Sequence, residues 1–186
     1  MREKTYKSEG IVLKRTNFGE ADKIITVFSK HFGKITLLAK GIRRLTSRKR
    51  GNLEIFNRVA FFASKGKGID IITEVETQES FSSWRRSLPK VAAAYELCEM
   101  VDKLTVEGNE QEEVYTLLVS YLRTLASVKR ENLSVLITSF GSNLLKFLGF
   151  WPKNKQMPPN FDVRSFIENI IEKELKSRRF SKQFRI

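Results

Sequence analysis

Cysteine and histidine are almost missing from this chain, with one of each in 186 residues. A single thiol, Cys98, forms no internal disulfide and no multi-thiolate zinc site. It falls on an apolar helical stripe with Tyr95 and Val101, where a thiol packs as a small hydrophobe. A single imidazole, His31, closes off most histidine-based metal sites. It would have to carry any Ser-His-acid or Cys-His arrangement alone, from a Gly-containing turn among lysines. Glycine-rich phosphate loops of the Walker type are absent. No run approaches the roughly 18 apolar residues of a membrane span. The opening MREKTYKSEG is charged throughout, unlike an apolar leader. The carboxylates Glu20 and Asp22 lie beside Lys23 in a turn and read as a turn and salt-bridge feature. These absences predict a cytoplasmic chain with no catalytic residues, no metal and no cofactor.

Acid is scarce where base is dense. The chain carries 34 Lys+Arg against 21 Asp+Glu, a formal net charge of +13. The surplus is uneven: residues 1–80 hold 17 basic and 9 acidic residues, 81–150 hold 8 of each, and 151–186 hold 9 and 4. A neutral body with basic ends points to a polyanionic partner such as nucleic acid, an acidic membrane or a ribosome. The densest stretch is AKGIRRLTSRKRG, 39–51. It has six cations from Lys40 to Arg50, no acid, and two hydroxyls, Thr46 and Ser47. Only Ile42 and Leu45 in it suit a core.

From Lys4 to Glu79 the pattern is one of short strands and turns. Strands are predicted at 10–15, 23–29, 35–40, 54–63 and 69–76. The last of these puts Ile69, Ile71, Thr73 and Val75 on one face, with Asp70, Glu74 and Glu76 on the other. Five strands with a long third-to-fourth connection suit an OB-fold, though other small barrels also fit. That long connection is the basic segment itself. From Phe81 the period becomes helical. A stripe runs from Val91 to Leu104, and a second helix opens at Asn109–Glu112 with capping-box spacing. A third carries Leu133, Ile137, Phe140, Leu144 and Phe147 and stops at Gly149. A proline-rich loop follows, and a last helix spans 162–176. The expected class is α+β: a five-stranded OB-fold barrel over 1–80, then an α-helical domain over 81–186.

Lys40, Arg43, Arg44, Arg48, Lys49 and Arg50 are the candidate phosphate ligands, with Ser47 as a neutral donor. Lys14, Arg15, Lys23, Lys34, Lys65 and Lys67, from turns and strand ends of the same barrel, extend the basic surface. No Asn or Gln sits in the basic segment to read a base edge, so binding is expected to depend weakly on sequence. Phe18, His31 and Phe32 lie in turns and are candidates for stacking on bases. Phe56, Phe61, Phe140, Phe147 and Phe166 sit at core periodicity. The tail cations Arg178, Arg179, Lys182 and Arg185 read equally as a second polyanion contact or a frayed end. A membrane-surface role is disfavoured because the basic segment lacks an amphipathic apolar face.

Residues 9–56, EGIVLKRTNFGEADKIITVFSKHFGKITLLAKGIRRLTSRKRGNLEIF, resemble the N-terminal domain of the bacterial recombination mediator family RecO. The likeness rests on VLKR, GEAD, FGK and above all AKGIRR followed by SRKRG. LLKFLGF (144–150) and LKSRRFSKQF (175–184) are similar to later family segments. The resemblance implies an OB-fold with a helical domain and non-catalytic binding of single- and double-stranded DNA. It also implies strand annealing, contact with single-strand-binding protein and RecR, indirect action on RecA, and a nucleoid-associated location in the cytoplasm. Many members carry a four-cysteine zinc module after the LGF helix. Here WPKNKQMPPNFD has no cysteine, so the chain looks like a shortened form with loop 151–161 in the module's place. The helix before LLKFLGF often carries a basic residue ahead of its phenylalanine. Here Thr138 and Ser139 precede Phe140, which leaves Lys146 as the candidate for the acidic tail of single-strand-binding protein. The alternative reading is an RNA- or ribosome-associated OB-fold protein using the same loop.

Overall fold

The computed structural model describes residues 4–184, apart from 46 and 48 and the side chain of residue 182. The chain divides into two compact units. One is Met1–Ser80 with Val106–Tyr115; the other is Phe81–Thr105 with Thr116–Ile186. Residues 106–115, expected among the helices, therefore group with the strands.

The first unit is built on β1 (Thr5–Phe18), β2 (Asp22–Ser29), β3 (Gly33–Ala39), β4 (Arg58–Ser64) and β5 (Asp70–Glu79). They close into a barrel in the order β1-β2-β3-β5-β4, with β4 returning to β1. All pairings are antiparallel except β3–β5, which is parallel over only Leu37↔Asp70 and Leu38↔Ile71. This is the OB-fold. β1 is long enough to serve two neighbours. Its first half pairs with β4 and its second with β2, and the change falls at Gly10, which has partners on both sides. A Cβ there would collide with the Val27 side chain and the Phe28 carbonyl, so close approach at the corner requires glycine. The interior is filled by Val12, Ile25, Val27, Leu37, Phe61 and Ile72, each at most 1% exposed.

Two strand expectations are corrected. Along β5 it is Ile72 that is fully buried, while Ile69 is 37% exposed. Ala63 pairs with Ile72 and Phe62 with Glu74, which leaves Thr73 as an extra residue in a β-bulge. A bulge reverses the alternation, so Ile72 before it and Val75 after it both turn inward. β4 starts at Arg58 rather than at 54. The Asn57 amide donates to the Glu54 carbonyl at 3.0 Å, and Phe56 sits at φ 75, so this stretch is a turn.

The helices are α1 (Leu88–Leu104), α2 (Glu112–Thr124), α3 (Leu133–Phe147), α4 (Val163–Ile171) and α5 (Lys176–Gln183). The single helix expected over 162–176 is two. Asp162 caps α4 by accepting from the Ser165 amide at 3.0 Å, and Glu172 ends it in the left-handed region at φ 52. α5 follows, its first amides, Lys176 and Ser177, donating to the Glu99 carboxylate of α1 at 3.0 and 2.7 Å. Glu96 of α1 is fully buried, paired with Arg164 and accepting from Ser181. Phe147, expected in the core, is 38% exposed at the last residue of α3. Phe166 is half-buried. No described helix is long and apolar enough to cross a membrane.

Candidate nucleic-acid interface

The connection between β3 and β4 is seated from below and gripped from the side. Ile42 and Leu53 enter the barrel core at 1% and 0% exposure. Between them the backbone turns repeatedly: Arg44 donates to the Gly41 carbonyl at 3.1 Å, Ser47 to Arg44 at 3.0 Å, and Leu53 to Lys49 at 3.1 Å. The β1–β2 turn holds the near side. Asp22 Oδ1 accepts from the Gly41 amide at 2.7 Å, and the Ala21 carbonyl accepts from the Arg43 amide at 2.9 Å. The far side lies along β5, beyond the short β3 pairing. There Asn52 Oδ1 accepts from the Thr77 amide at 3.1 Å, and Asn57 Nδ2 donates to the Asn52 carbonyl at 2.9 Å. These holding residues carried no composition signal.

The anchors decide which side chains remain for a ligand. Lys40, Arg43, Arg44 and Arg50 are exposed, and among the described residues none of them has a carboxylate partner. Arg43 Nη1 donates to the Gly19 carbonyl at 3.2 Å, which aims the guanidinium without neutralising it. Lys49 is half-buried, and its ammonium donates to the Ile72 carbonyl at 2.7 Å. Burial pulls its pKa below the ordinary lysine value. It therefore serves as a clamp on β5. Ser47 is half-buried, and Arg48 lies outside the described residues. Leu45, expected to help form the core, is 92% exposed. Ile42 and Leu53 already fill the space beneath the loop.

Strand direction sorts the remaining candidates. β1 ends, β2 begins and β3 ends at one pole of the barrel, so Lys23 shares it with the basic loop, in register with Ala39. Lys14 is exposed on β1, whereas Arg15 Nη1 pairs with Glu54 at 2.6 Å. Lys34, Lys65 and Lys67 belong to the opposite pole, with the β2–β3 and β4–β5 turns.

At that opposite pole most of the cations described are paired, Lys67 being exposed without a carboxylate partner among the described residues. Lys30 lies 3.3 Å from Glu112, and His31 4.0 Å from Glu110. Lys65 reaches Asp70 at 2.8 Å and sits 4.7 Å from the centre of the Tyr6 ring. Tyr6 also donates to Asp70, at 2.9 Å. Burial and the Asp70 carboxylate together raise the Tyr6 pKa. Asp70 would be raised by burial, but hydrogen bonds from Lys65, Tyr6 and the Gly66 amide, with the Lys65 charge, hold it below the usual range. Residues 106–110 close this end. The Gly108 amide donates to the Lys34 carbonyl at 2.8 Å, and Asn109 comes so close to Gly33 that no Cβ fits. A cavity of about 350 Å³ remains, lined by Tyr6, Phe32, Ile35, Lys65, Asp70 and Glu107 among others.

In the helical unit, Lys146 is half-buried on the last turn of α3. Phe147 and Phe150 beside it are 38% and 42% exposed, and the Lys153 ammonium lies 6.0 Å from the Phe147 ring centre. The loop that follows closes on Trp151, Phe161 and Phe166, with ring centres 4.9 to 6.0 Å apart. It contains no cysteine or histidine and does not fit a zinc module. Of the tail cations, Arg178 pairs with Glu168 and Arg179 with Glu174, both as part of a docked helix; residue 185 lies outside the described ones. Cys98 is buried, and burial raises its thiol pKa.

Residues 1–81 match the family model described as Recombination protein O N terminal, and residues 85–155 the one described as Recombination protein O C terminal. The chain is 36% identical over 149 residues to DNA repair protein RecO of Pelotomaculum thermopropionicum, covering 80% of this chain and 57% of that one. It is 35% identical over 147 residues to the protein of the same name from Symbiobacterium thermophilum, covering 79% and 58%. For Roseiflexus sp. the identity is 30% over 153 residues, covering 82% and 53%. The chain thus spans a little over half the length of the curated relatives it matches. With an OB-fold and a helical region each matched by its own model, the chain belongs to the RecO family.

Proposed function

We propose that this chain is a non-catalytic, nucleoid-associated DNA-binding protein of recombinational repair, which binds and anneals single-stranded DNA and helps load recombinase on coated DNA. One observation carries the reading. Lys40, Arg43, Arg44 and Arg50 stand exposed without carboxylate partners, on a loop that the barrel core and the β1–β2 turn hold in place. Fixed cations with no internal counter-charge favour a polyanion by releasing its condensed counterions. Neutralising two backbones at once also removes the repulsion that opposes annealing. Duplex DNA offers the same phosphates. The names of the relatives and both family models favour DNA over RNA.

The family resemblance supplies the partners: single-strand-binding protein, RecR and, through them, RecA. For the acidic tail of single-strand-binding protein, the surface around Lys146 combines a cation with the exposed rings of Phe147 and Phe150, which suits an acidic peptide with an apolar end.

The test is fluorescence anisotropy with labelled single-stranded DNA across a salt series. With about five phosphates engaged, log affinity falls against log salt with a slope of roughly −3.5. Lys40→Ala/Arg43→Ala/Arg44→Ala makes the slope shallower by about 2. A salt-independent affinity contradicts the mechanism, and tighter binding of structured RNA than of DNA moves the reading to the RNA alternative.

A further inference from the structure

We infer that Phe18 is a base-stacking platform beside the cationic loop, and that it gives the site its preference for unpaired strands. The inference rests on the nucleic-acid reading of that loop and adds a contact to bases, which phosphate ligands do not make. Phe18 is the last residue of β1 and is 48% exposed. Its cross-strand partner is Asp22, whose carboxylate holds the Gly41 amide. The ring therefore stands one strand pair from the root of the loop. The turn that follows has committed three acceptors to the loop: the Gly19 and Ala21 carbonyls both accept from Arg43, and Asp22 Oδ1 from Gly41. Glu20, exposed in the same turn, repels phosphate. What the turn offers a nucleic acid is its ring.

The other exposed phenylalanines of the barrel are already engaged. Phe32 packs edge-on against Tyr6 with ring centres 4.9 Å apart, and Phe62 lies under the Lys7 ammonium at 5.5 Å. Among the described residues Phe18 has no ring or cation partner. An open ring next to a cationic loop whose backbone is anchored suits a strand whose phosphates meet the cations and whose bases are free to turn toward the ring. Every base has a π-face, so such stacking is tolerant of sequence. A duplex keeps its bases stacked on each other and does not use the ring.

The experiment measures anisotropy of the full chain with three probes of equal length: oligo-dT, an abasic sugar-phosphate strand, and a duplex. Wild type is expected to bind oligo-dT more tightly than the abasic strand. Phe18→Ala is expected to weaken oligo-dT binding by about fivefold to a hundredfold. Abasic and duplex affinities and the salt slope should stay unchanged. Phe18→Trp restores oligo-dT binding, and Phe18→Leu, equally apolar but without a π-face, does not. Circular dichroism melts check that each variant folds. Equal binding of oligo-dT by wild type and Phe18→Ala, or equal wild-type affinity for oligo-dT and the abasic strand, overturns the stacking role and leaves the phosphate site standing. Failure of wild type to bind any of the three overturns both.

Discussion

At one end of the barrel Lys30, His31 and Lys65 face Glu112, Glu110 and Asp70. At the other, Lys40, Arg43, Arg44 and Arg50 face water. Both ends are rich in cations and both are tied down by hydrogen bonds from neighbouring turns. They differ in where the counter-charge lies. The paired end finds it in β5 and the segment 106–115 of its own unit; at the loop end Glu20 and Asp22 lie in the adjoining turn, but among the described residues no carboxylate pairs with these four cations. Charge that is already neutralised has little to gain from a phosphate, and charge that is held apart from acid gains most. Pairing, more than the count of lysines and arginines, separates a binding surface from a braced one.

The comparison can be broken by substitution, and the largest effect is expected beneath the loop. Leu53→Ala empties a fully buried position and should cost about 2–5 kcal/mol of unfolding free energy in urea titrations. The same change at Leu45, 92% exposed in the same loop, should stay within about 0.5 kcal/mol. An equal loss at both would mean that the loop is not seated as described. Next comes Asp22→Ala, which removes the acceptor for the Gly41 amide at a cost of about 1 kcal/mol. Hydrogen exchange at Gly41 should speed up and DNA affinity should fall, because the cations lose their fixed base. Unchanged exchange would show that the turn does not hold the loop.

The smallest effect belongs to the paired pole. Asp70 has a folded pKa below its ordinary value, so its charged form contributes stability above about pH 4. That contribution is lost as pH falls through the lower folded value. Asp70→Asn should flatten the acid limb of a plot of Tm against pH and leave DNA binding near neutral pH unaltered. An acid limb identical to wild type would remove Asp70 and its partners from the account of that pole.

Much of this was legible in the chain itself. The barrel followed from five β-rich stretches and their turns, and the cationic loop from six basic residues without an acid. Which cations share a pole was not, because it depends on strand direction and on a closing β3–β5 contact only two residue pairs long. The inward face of β5 was misread because Thr73 adds one residue, and a bulge leaves no mark on composition. Lys49 looked like its neighbours in the loop, yet its ammonium is committed to a carbonyl 23 residues away. The cations of the tail SRRFSKQF read equally as a second polyanion contact or a frayed end. The tail is a helix because Glu99 and Glu168, distant in sequence, accept from the first amides of α5 and from Leu175 just before it. Long-range acceptors of this kind are invisible to a local pattern.

The most direct measurement compares the two poles on one DNA. Anisotropy with labelled single-stranded DNA at several salt concentrations would set Lys40→Ala/Arg43→Ala/Arg44→Ala beside Lys34→Ala/Lys65→Ala/Lys67→Ala. Both variants remove three cations from the same barrel. The loop variant is expected to lose roughly one to two orders of magnitude in affinity and about 2 from its salt slope. The other should stay within a few-fold of wild type with its slope intact. Equal losses, or a larger loss at Lys34, Lys65 and Lys67, would contradict the assignment of the DNA surface to the unpaired pole.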